Sequence, residues 1–409
     1  MAEKATYFYE FIPIDYTVDQ AKREQILAEF PPPALPDSSE YFVLDDQVPG
    51  STVNLRLLLN DFQVQLTKTN KQFLKLRFSN NAGVINAKMW DNQGSVEQNQ
   101  PLLEKFAVFD VEAFVDEFRG FKSLTIQQLT PCETEINPFS LLPYTHQSIE
   151  DLTVELFSYL DELQHPYRQI ARAVMTRFWD QFRIRPAAKG YHHNYLGGLL
   201  KHTVGLMRFA RYILKQEENH FQAAMKLINI VEKAYKNELW SQFQSDNGLQ
   251  QLVWKDTIDH LYRQLQGMMD HKEKQPDPDV IMTSILFHDI GKLLEYDHAG
   301  KTFDTFHFLF PTAAHTGQEN RKQAGITMDD LGVMVGHIPY GVLLLNKIIE
   351  TEGISLSLEA IHQMAHCILC HHGLPEWGSC IQKPQTIEGY IIHFVDYLDS
   401  RYENSEAVK

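Results

Sequence analysis

The residues best equipped for chemistry are histidines and aspartates gathered in the second half of the chain. Phe287-His288-Asp289-Ile290-Gly291-Lys292 follows the apolar run 280–286, the pattern of a buried helix. A His and an Asp side by side at the end of such a helix place a nitrogen and a carboxylate together, donors suited to a divalent metal. Lys292 lies three residues after Asp289 and four after His288, on the same helical face. Its ammonium can there meet a phosphate oxygen on the metal. Taken alone, the pair fits a capped helix end with a satisfied histidine equally well.

The rest of the half-chain shifts that balance. Upstream runs Tyr191-His192-His193-Asn194-Tyr195-Leu196-Gly197-Gly198, then Lys201-His202-Thr203, with His202 at an otherwise apolar position of an amphipathic helix. Downstream lie Gly336-His337-Ile338, Cys370-His371-His372-Gly373, and His393-Phe394-Val395-Asp396-Tyr397-Leu398-Asp399, where Asp396 interrupts an apolar stripe. One histidine on an apolar face is ordinary core. Several on separate helices, with buried carboxylates, are costly unless they share a ligand. Asp399 reads as a helix-surface carboxylate or as support for a neighbouring ligand.

Helices must position these groups, and the pattern is helical from Ser148 onward, near 149–182, 196–215, 221–240, 250–270, 279–295, 340–350, 357–371 and 385–403. Ahead of them, residues 50–135 change to period two. Val53-Asn54-Leu55-Arg56-Leu57, Phe73–Phe78, Val84–Trp90, 107–114 and 123–129 read as five strands, separated by Lys68-Thr69-Asn70-Lys71, Asn80-Asn81-Ala82-Gly83 and Asp91-Asn92-Gln93-Gly94. Five short strands in such a stretch predict a small closed β-barrel. Residues 136–148, with Pro138 and Pro143, read as a linker, and 404–409 as a tail. Residues 1–49 read as an acidic extension with a short helix around 18–30, more simply a solvated segment than an interaction tail. The expected organisation is multidomain: an all-β barrel followed by an all-α domain at 149–403.

The order His202, His288-Asp289, His337, His371, Asp396 resembles the HD superfamily of metal phosphohydrolases. The phrases His-His-x-Tyr-x-Gly-Gly-Leu-Leu-x-His-Thr, His-Asp-Ile-Gly-Lys, Gly-His-Ile, His-His-Gly and Phe-Val-Asp-x-Leu-Asp-Ser, behind an OB-like barrel, resemble the YhaM-type 3′→5′ exoribonucleases. The resemblance implies that His202, His288, Asp289 and Asp396 hold a first metal and that Asp289 bridges to a second, helped by His337 and His371. Of the adjacent pair, His371 comes first in the motif and is taken as the ligand. His372, His193 and Lys292 are then assigned to substrate. It implies two divalent ions, Mn²⁺ foremost with Mg²⁺, Co²⁺ or Fe²⁺ as substitutes, and single-stranded RNA, or DNA, as the polymer. On the barrel, Phe73, Phe78 and Trp90 are candidates to stack on bases, and Lys71, Lys75, Arg77 and Lys88 to touch backbone, against the alternative that each aromatic is barrel core. The chain departs from the pattern at 216–278 and 297–330, where insertions would reshape access to the site.

Composition bounds the alternatives. A formal net charge of −16 argues against bulk electrostatic coating of nucleic acid, yet residues 51–130 carry nine basic and eight acidic side chains. Cys132, Cys367, Cys370 and Cys380 are too few for a disulfide scaffold, and the Cys367-x-x-Cys370 spacing lacks a second pair to complete a zinc site. The absence of a signal-like N-terminus and of a long apolar run predicts a cytoplasmic protein without a membrane span. A homo-oligomer is compatible with the sequence. Two other functions stay open: a phosphohydrolase of nucleotides or cyclic nucleotides, and a non-catalytic nucleic-acid-binding regulator.

Overall fold

Period-two alternation is satisfied in a computed structural model by five strands: β1 (Thr52–Leu66), β2 (Gln72–Asn80), β3 (Gly83–Trp90), β4 (Val108–Phe118) and β5 (Phe121–Pro131). The structure describes residues 5–37, 41–132, 137–188, 194–215, 219–244, 255–297, 305–313, 326–377 and 383–403. The strands close in the order β1-β2-β3-β5-β4, all neighbours antiparallel except β3 and β5, which run parallel. This is an OB-like barrel. Its interior takes one parity of each strand, including Leu74, Leu76 and Phe78 from β2 and Ile85, Ala87 and Met89 from β3. The hairpin from β4 to β5 turns through Arg119 and Gly120, both at positive φ, as the right-handed twist of a two-residue turn requires.

Well before the barrel begins at Thr52, the chain has already packed onto the helical domain. Residues 5–31 are packed rather than solvated. A helix, α1 (Gln20–Glu29), lies on α4 (Ile149–Asp161); Phe30 stacks on Phe157 at 3.8 Å, and the Trp179 indole donates to the Pro31 carbonyl at 2.9 Å. The apolar residues Tyr7, Phe8 and Ile12 outweigh the segment's acidity and bury it in the helical core. The expected linker is likewise structured. Asn137 caps α3 (Pro138–Leu141), whose Phe139 and Leu141 are buried, and the Asn81 backbone N–H donates to the Ser140 carbonyl at 3.3 Å. Helix α2 (Ser95–Lys105), between β3 and β4, was not expected either.

The helical domain continues with α5 (Tyr167–Phe182), α6 (Gly198–Lys215), α7 (His220–Gln244), α8 (Lys255–Met269), α9 (Pro278–His288), α10 (Lys292–Glu295), α11 (Thr305–Leu309), α12 (Asp330–Val335), α13 (His337–Thr351), α14 (Leu358–Cys370) and α15 (Ile387–Tyr402). Helix α9 is buried on every side from Val280 to His288 and packs against α5, α6, α13, α14 and α15. Asp277 caps its start, with Pro278 in the first turn, where the missing N–H costs nothing. The insertion at 216–278 contributes α7 and α8, which pack on each other, with α8 also against α15. Of the second insertion's histidines, His307 lies on α11, whereas His298 and His315 fall outside the described residues. Among the described residues no helix is long and apolar enough to cross a membrane.

Candidate metal centre

A helix apolar on all sides can carry polar donors only where it ends. His288 closes α9 and Asp289 caps it; His337 opens α13, His371 caps α14, and His202 and Asp396 face inward from α6 and α15. The chain then turns through Gly291, where a Cβ would come within 1.9 Å of the His337 carbonyl oxygen, so only glycine lets α13 dock this closely.

Asp289 divides its two oxygens between two groups of donors. Oδ2 lies 3.3 Å from His288 Nε2 and 3.5 Å from His202 Nε2. Oδ1 lies 3.5 Å from His337 Nε2 and 3.8 Å from His371 Nε2. His202 Nε2 is also 3.2 Å from Asp396 Oδ1 and 3.2 Å from His288 Nε2. His202, His288 and Asp396 thus present donor atoms within 4.8 Å of one another, and so do His337, His371 and His372. The structure therefore brings both His371 and His372 to the second group. Lys292 donates from Nζ to Asp289 Oδ2 at 2.5 Å. His193 lies outside the described residues.

The rings are oriented from behind. His288 and His371 sit with Nδ1 2.6 Å and 2.7 Å from the carbonyls of Ile285 and Ile368, which fixes Nδ1–H as the donor and turns the Nε2 lone pair inward. Carboxylates do the same for the other two: His202 Nδ1 lies 2.6 Å from Asp399, and His337 Nδ1 lies 2.6 Å from Glu295. Asp399, only 1% exposed, is no surface carboxylate; it also accepts from the Tyr7 hydroxyl. Glu295 and Tyr7 were not foreseen. The signal for Asp399 was its place one turn beyond Asp396 on a helix face otherwise apolar.

Electrostatics match this arrangement. Burial pushes the Asp289 carboxyl up, but Lys292, His288 and His337 outweigh it and hold the group well below the usual carboxylate range. Burial, with His372 and His288 adding repulsion, pushes His371 well down, and burial takes His372 to about 4. Both rings are neutral at pH 7 and offer lone pairs. His202 is buried too, but Asp396 and Asp399 lift it to about 10. A positive charge is favoured at that point between the carboxylates.

Four buried atoms here have no hydrogen-bond partner: Asp289 Oδ1, His337 Nε2, His371 Nε2 and His372 Nδ1. A buried unsatisfied acceptor costs about 1–3 kcal/mol, so four at one centre fit a donor set suited to a cation. Nitrogen and carboxylate oxygen together suit Mn²⁺, Fe²⁺, Co²⁺ or Mg²⁺ better than a thiolate metal. Cys367 and Cys370 are buried in the core and take no part, and Cys380 falls outside the described residues. His202, Asp289, His337, His372 and Asp396 line a cleft of 520 Å³ together with Lys292.

On the barrel, register decides which candidates can touch a ligand. Phe73 pairs with Trp90, Lys75 with Lys88 and Arg77 with Asn86, all on the outer face of β2 and β3. The Phe73 and Trp90 rings lie 5.4 Å apart, Lys88 sits over Trp90 at 5.3 Å, and Trp90 is 40% exposed. Lys71 is exposed in the turn that precedes β2. Phe78 has the opposite parity and is fully buried, so it is core and not a stacking residue. The hairpin tip adds two aromatics the pattern did not single out, Phe118 and Phe121, 72% and 80% exposed.

Comparison with known proteins agrees with both halves. The HD domain family matches residues 257–401. A 3′-5′ exoribonuclease YhaM of Listeria welshimeri is 24% identical over 371 residues, covering 90% of each chain. The Bacillus pumilus protein of that name is 23% identical over 355 residues, 86% of each chain. One from Geobacillus is 22% identical, over 86% of this chain and 83% of its own. With a closed barrel ahead of helices that gather His and Asp donors in the HD order, the chain is a YhaM-like HD-domain protein and a metal-dependent hydrolase.

Proposed function

We propose that the chain is a 3′→5′ exoribonuclease that releases nucleoside 5′-monophosphates from single-stranded RNA, and from single-stranded DNA as a secondary substrate, in the cytoplasm. The observation that carries it is Asp289, whose two oxygens face separate His-rich groups in a chain aligned along 90% of its length with a 3′-5′ exoribonuclease. His202, His288, Asp289 and Asp396 would hold one divalent ion, and Asp289, His337 and His371, with His372 beside them, a second; Mn²⁺ is our choice. Such ions supply Lewis acidity toward a phosphoryl oxygen and a more acidic water.

The protein's own groups do the rest. Asp399 and Glu295 hold His202 and His337 in the tautomer that points Nε2 inward. Lys292 places an ammonium beside Asp289, where it neutralises charge developing on the phosphoryl group. His193 is assigned to the same phosphate. The barrel, residues 50–135, supplies affinity through the Phe73 and Trp90 rings with Lys75, Arg77 and Lys88, on the strands by which OB folds bind oligonucleotides. Stacking there requires unpaired bases, which selects single strands. The test is linear against covalently circular RNA of one sequence. Only the linear form should be degraded, and cleavage of the circle would mean an endonuclease instead.

A further inference from the structure

One wall of the cleft is aromatic and has no part in the proposed hydrolysis. Trp377 ends a short 3-10 turn, Pro375–Trp377, is 40% exposed, and lines the cavity together with Asp289, His372 and Asp396. Tyr397, the residue after Asp396, stacks against it with centroids 5.7 Å apart and planes 12° from parallel. His260 packs on both, 4.5 Å from Trp377 and 4.8 Å from Tyr397. Trp377 is therefore a plate fixed from behind, with one surface facing open cleft.

The plate is tied to the donor set. His260 Nε2 lies 2.9 Å from His393 Nε2, and His393 Nδ1 donates to the His371 carbonyl at 2.7 Å. Gly373, at φ +77°, lets this turn close, since a Cβ there would come within 2.0 Å of His393 Nε2. His260 comes from α8, so the insertion reaches the site through this contact. A rigid indole at a fixed place beside phosphate-handling donors suits one planar group, a nucleobase, whichever base it is.

We propose that Trp377 is the stacking platform for the base of the 3′-terminal nucleotide, whose 5′-phosphate lies at the Asp289 donor set. This rests on the exonuclease function proposed above, but its test does not. The full chain, loaded with Mn²⁺, is titrated calorimetrically with adenosine 5′-monophosphate and with ribose 5-phosphate, which differ only in the base. The parent should prefer the nucleotide. Trp377→Ala should lose that preference, a roughly 5- to 150-fold weakening for the nucleotide by the usual strength of base–aromatic stacking. Trp377→Phe should retain most of it. Trp377→Leu, which keeps bulk without a π face, carries the comparison if the alanine variant fails to fold. Equal affinities in the parent, or a preference that survives Trp377→Leu, overturn the proposal. A Trp377-dependent preference in a chain that does not shorten RNA supports the platform while removing the exonuclease assignment.

Discussion

Replacing Asp399 by alanine tests whether the donors are positioned from behind. The change removes one acceptor for two hydrogen bonds, from His202 Nδ1 at 2.6 Å and from the Tyr7 hydroxyl at 2.5 Å. Without it, the His202 ring is free to rotate Nε2 away from Asp396 and His288, or to change tautomer. Losing such an outer partner typically weakens metal affinity about 10- to 100-fold, equivalent to about 1.4–2.7 kcal/mol. The buried Tyr7 phenol also loses its acceptor, at about 1–3 kcal/mol of fold stability. The two effects separate in two further variants. Tyr7→Phe should cost stability and leave metal affinity alone, whereas Asp399→Asn should keep the shape and show an intermediate loss of affinity. Chelator competition with Mn²⁺ reads affinity, and urea unfolding reads stability. Parental Mn²⁺ affinity in folded Asp399→Ala would refute the positioning role.

Asp289→Ala should abolish hydrolysis in a protein that still folds, measured after stripping and re-adding metal; normal turnover would sink a two-ion centre. Lys292→Ala should retain metal by elemental analysis yet lose roughly 10²–10³-fold in kcat, the scale for removing one electrostatic donor. On the barrel, Phe73→Ala and Trp90→Ala should each weaken RNA binding by about 1–3 kcal/mol, lowering turnover of RNA relative to bis(p-nitrophenyl) phosphate. An equal fall on both substrates would place the barrel in the active site. Burial, with His393, Arg263 and Arg401 adding repulsion, pushes the His260 imidazole down to about 4. An unfolded His takes up its proton near pH 6.5, so the unfolded state binds more protons between the two values and stability falls as pH drops through that window. His260→Gln should flatten the fall by at most about 3 kcal/mol, and an unchanged pH profile of the urea midpoint would contradict the assignment.

The candidate donors were legible because short motifs place four of them at helix ends, His288-Asp289 after an apolar run, His337 after Gly336 and His371 before Gly373, while His202 and Asp396 interrupt apolar helix faces. The partners that orient them were not, because they arise from tertiary contact. Asp399 is 197 positions from His202, and Tyr7 is 392 from Asp399. Nor does spacing tell which of His371 and His372 reaches the centre, since adjacent rings at a helix cap can both turn inward. Phe78 could have been excluded from its own strand: with Leu74 and Leu76 it forms the inward parity, opposite to Phe73. The N-terminal segment was misjudged by its charge. Tyr7, Phe8 and Ile12 carry the apolar surface that decides where it goes. His260 was invisible because it depends on how an insertion folds back onto α15.

The most direct measurement follows a 5′-labelled single-stranded RNA incubated with the purified chain in Mn²⁺ or in EDTA. A metal-dependent 3′→5′ exonuclease gives a ladder of progressively shorter labelled products in Mn²⁺ and none in EDTA, with unlabelled nucleoside 5′-monophosphates released. Immediate appearance of labelled mononucleotide, or shortening that persists in EDTA, contradicts it.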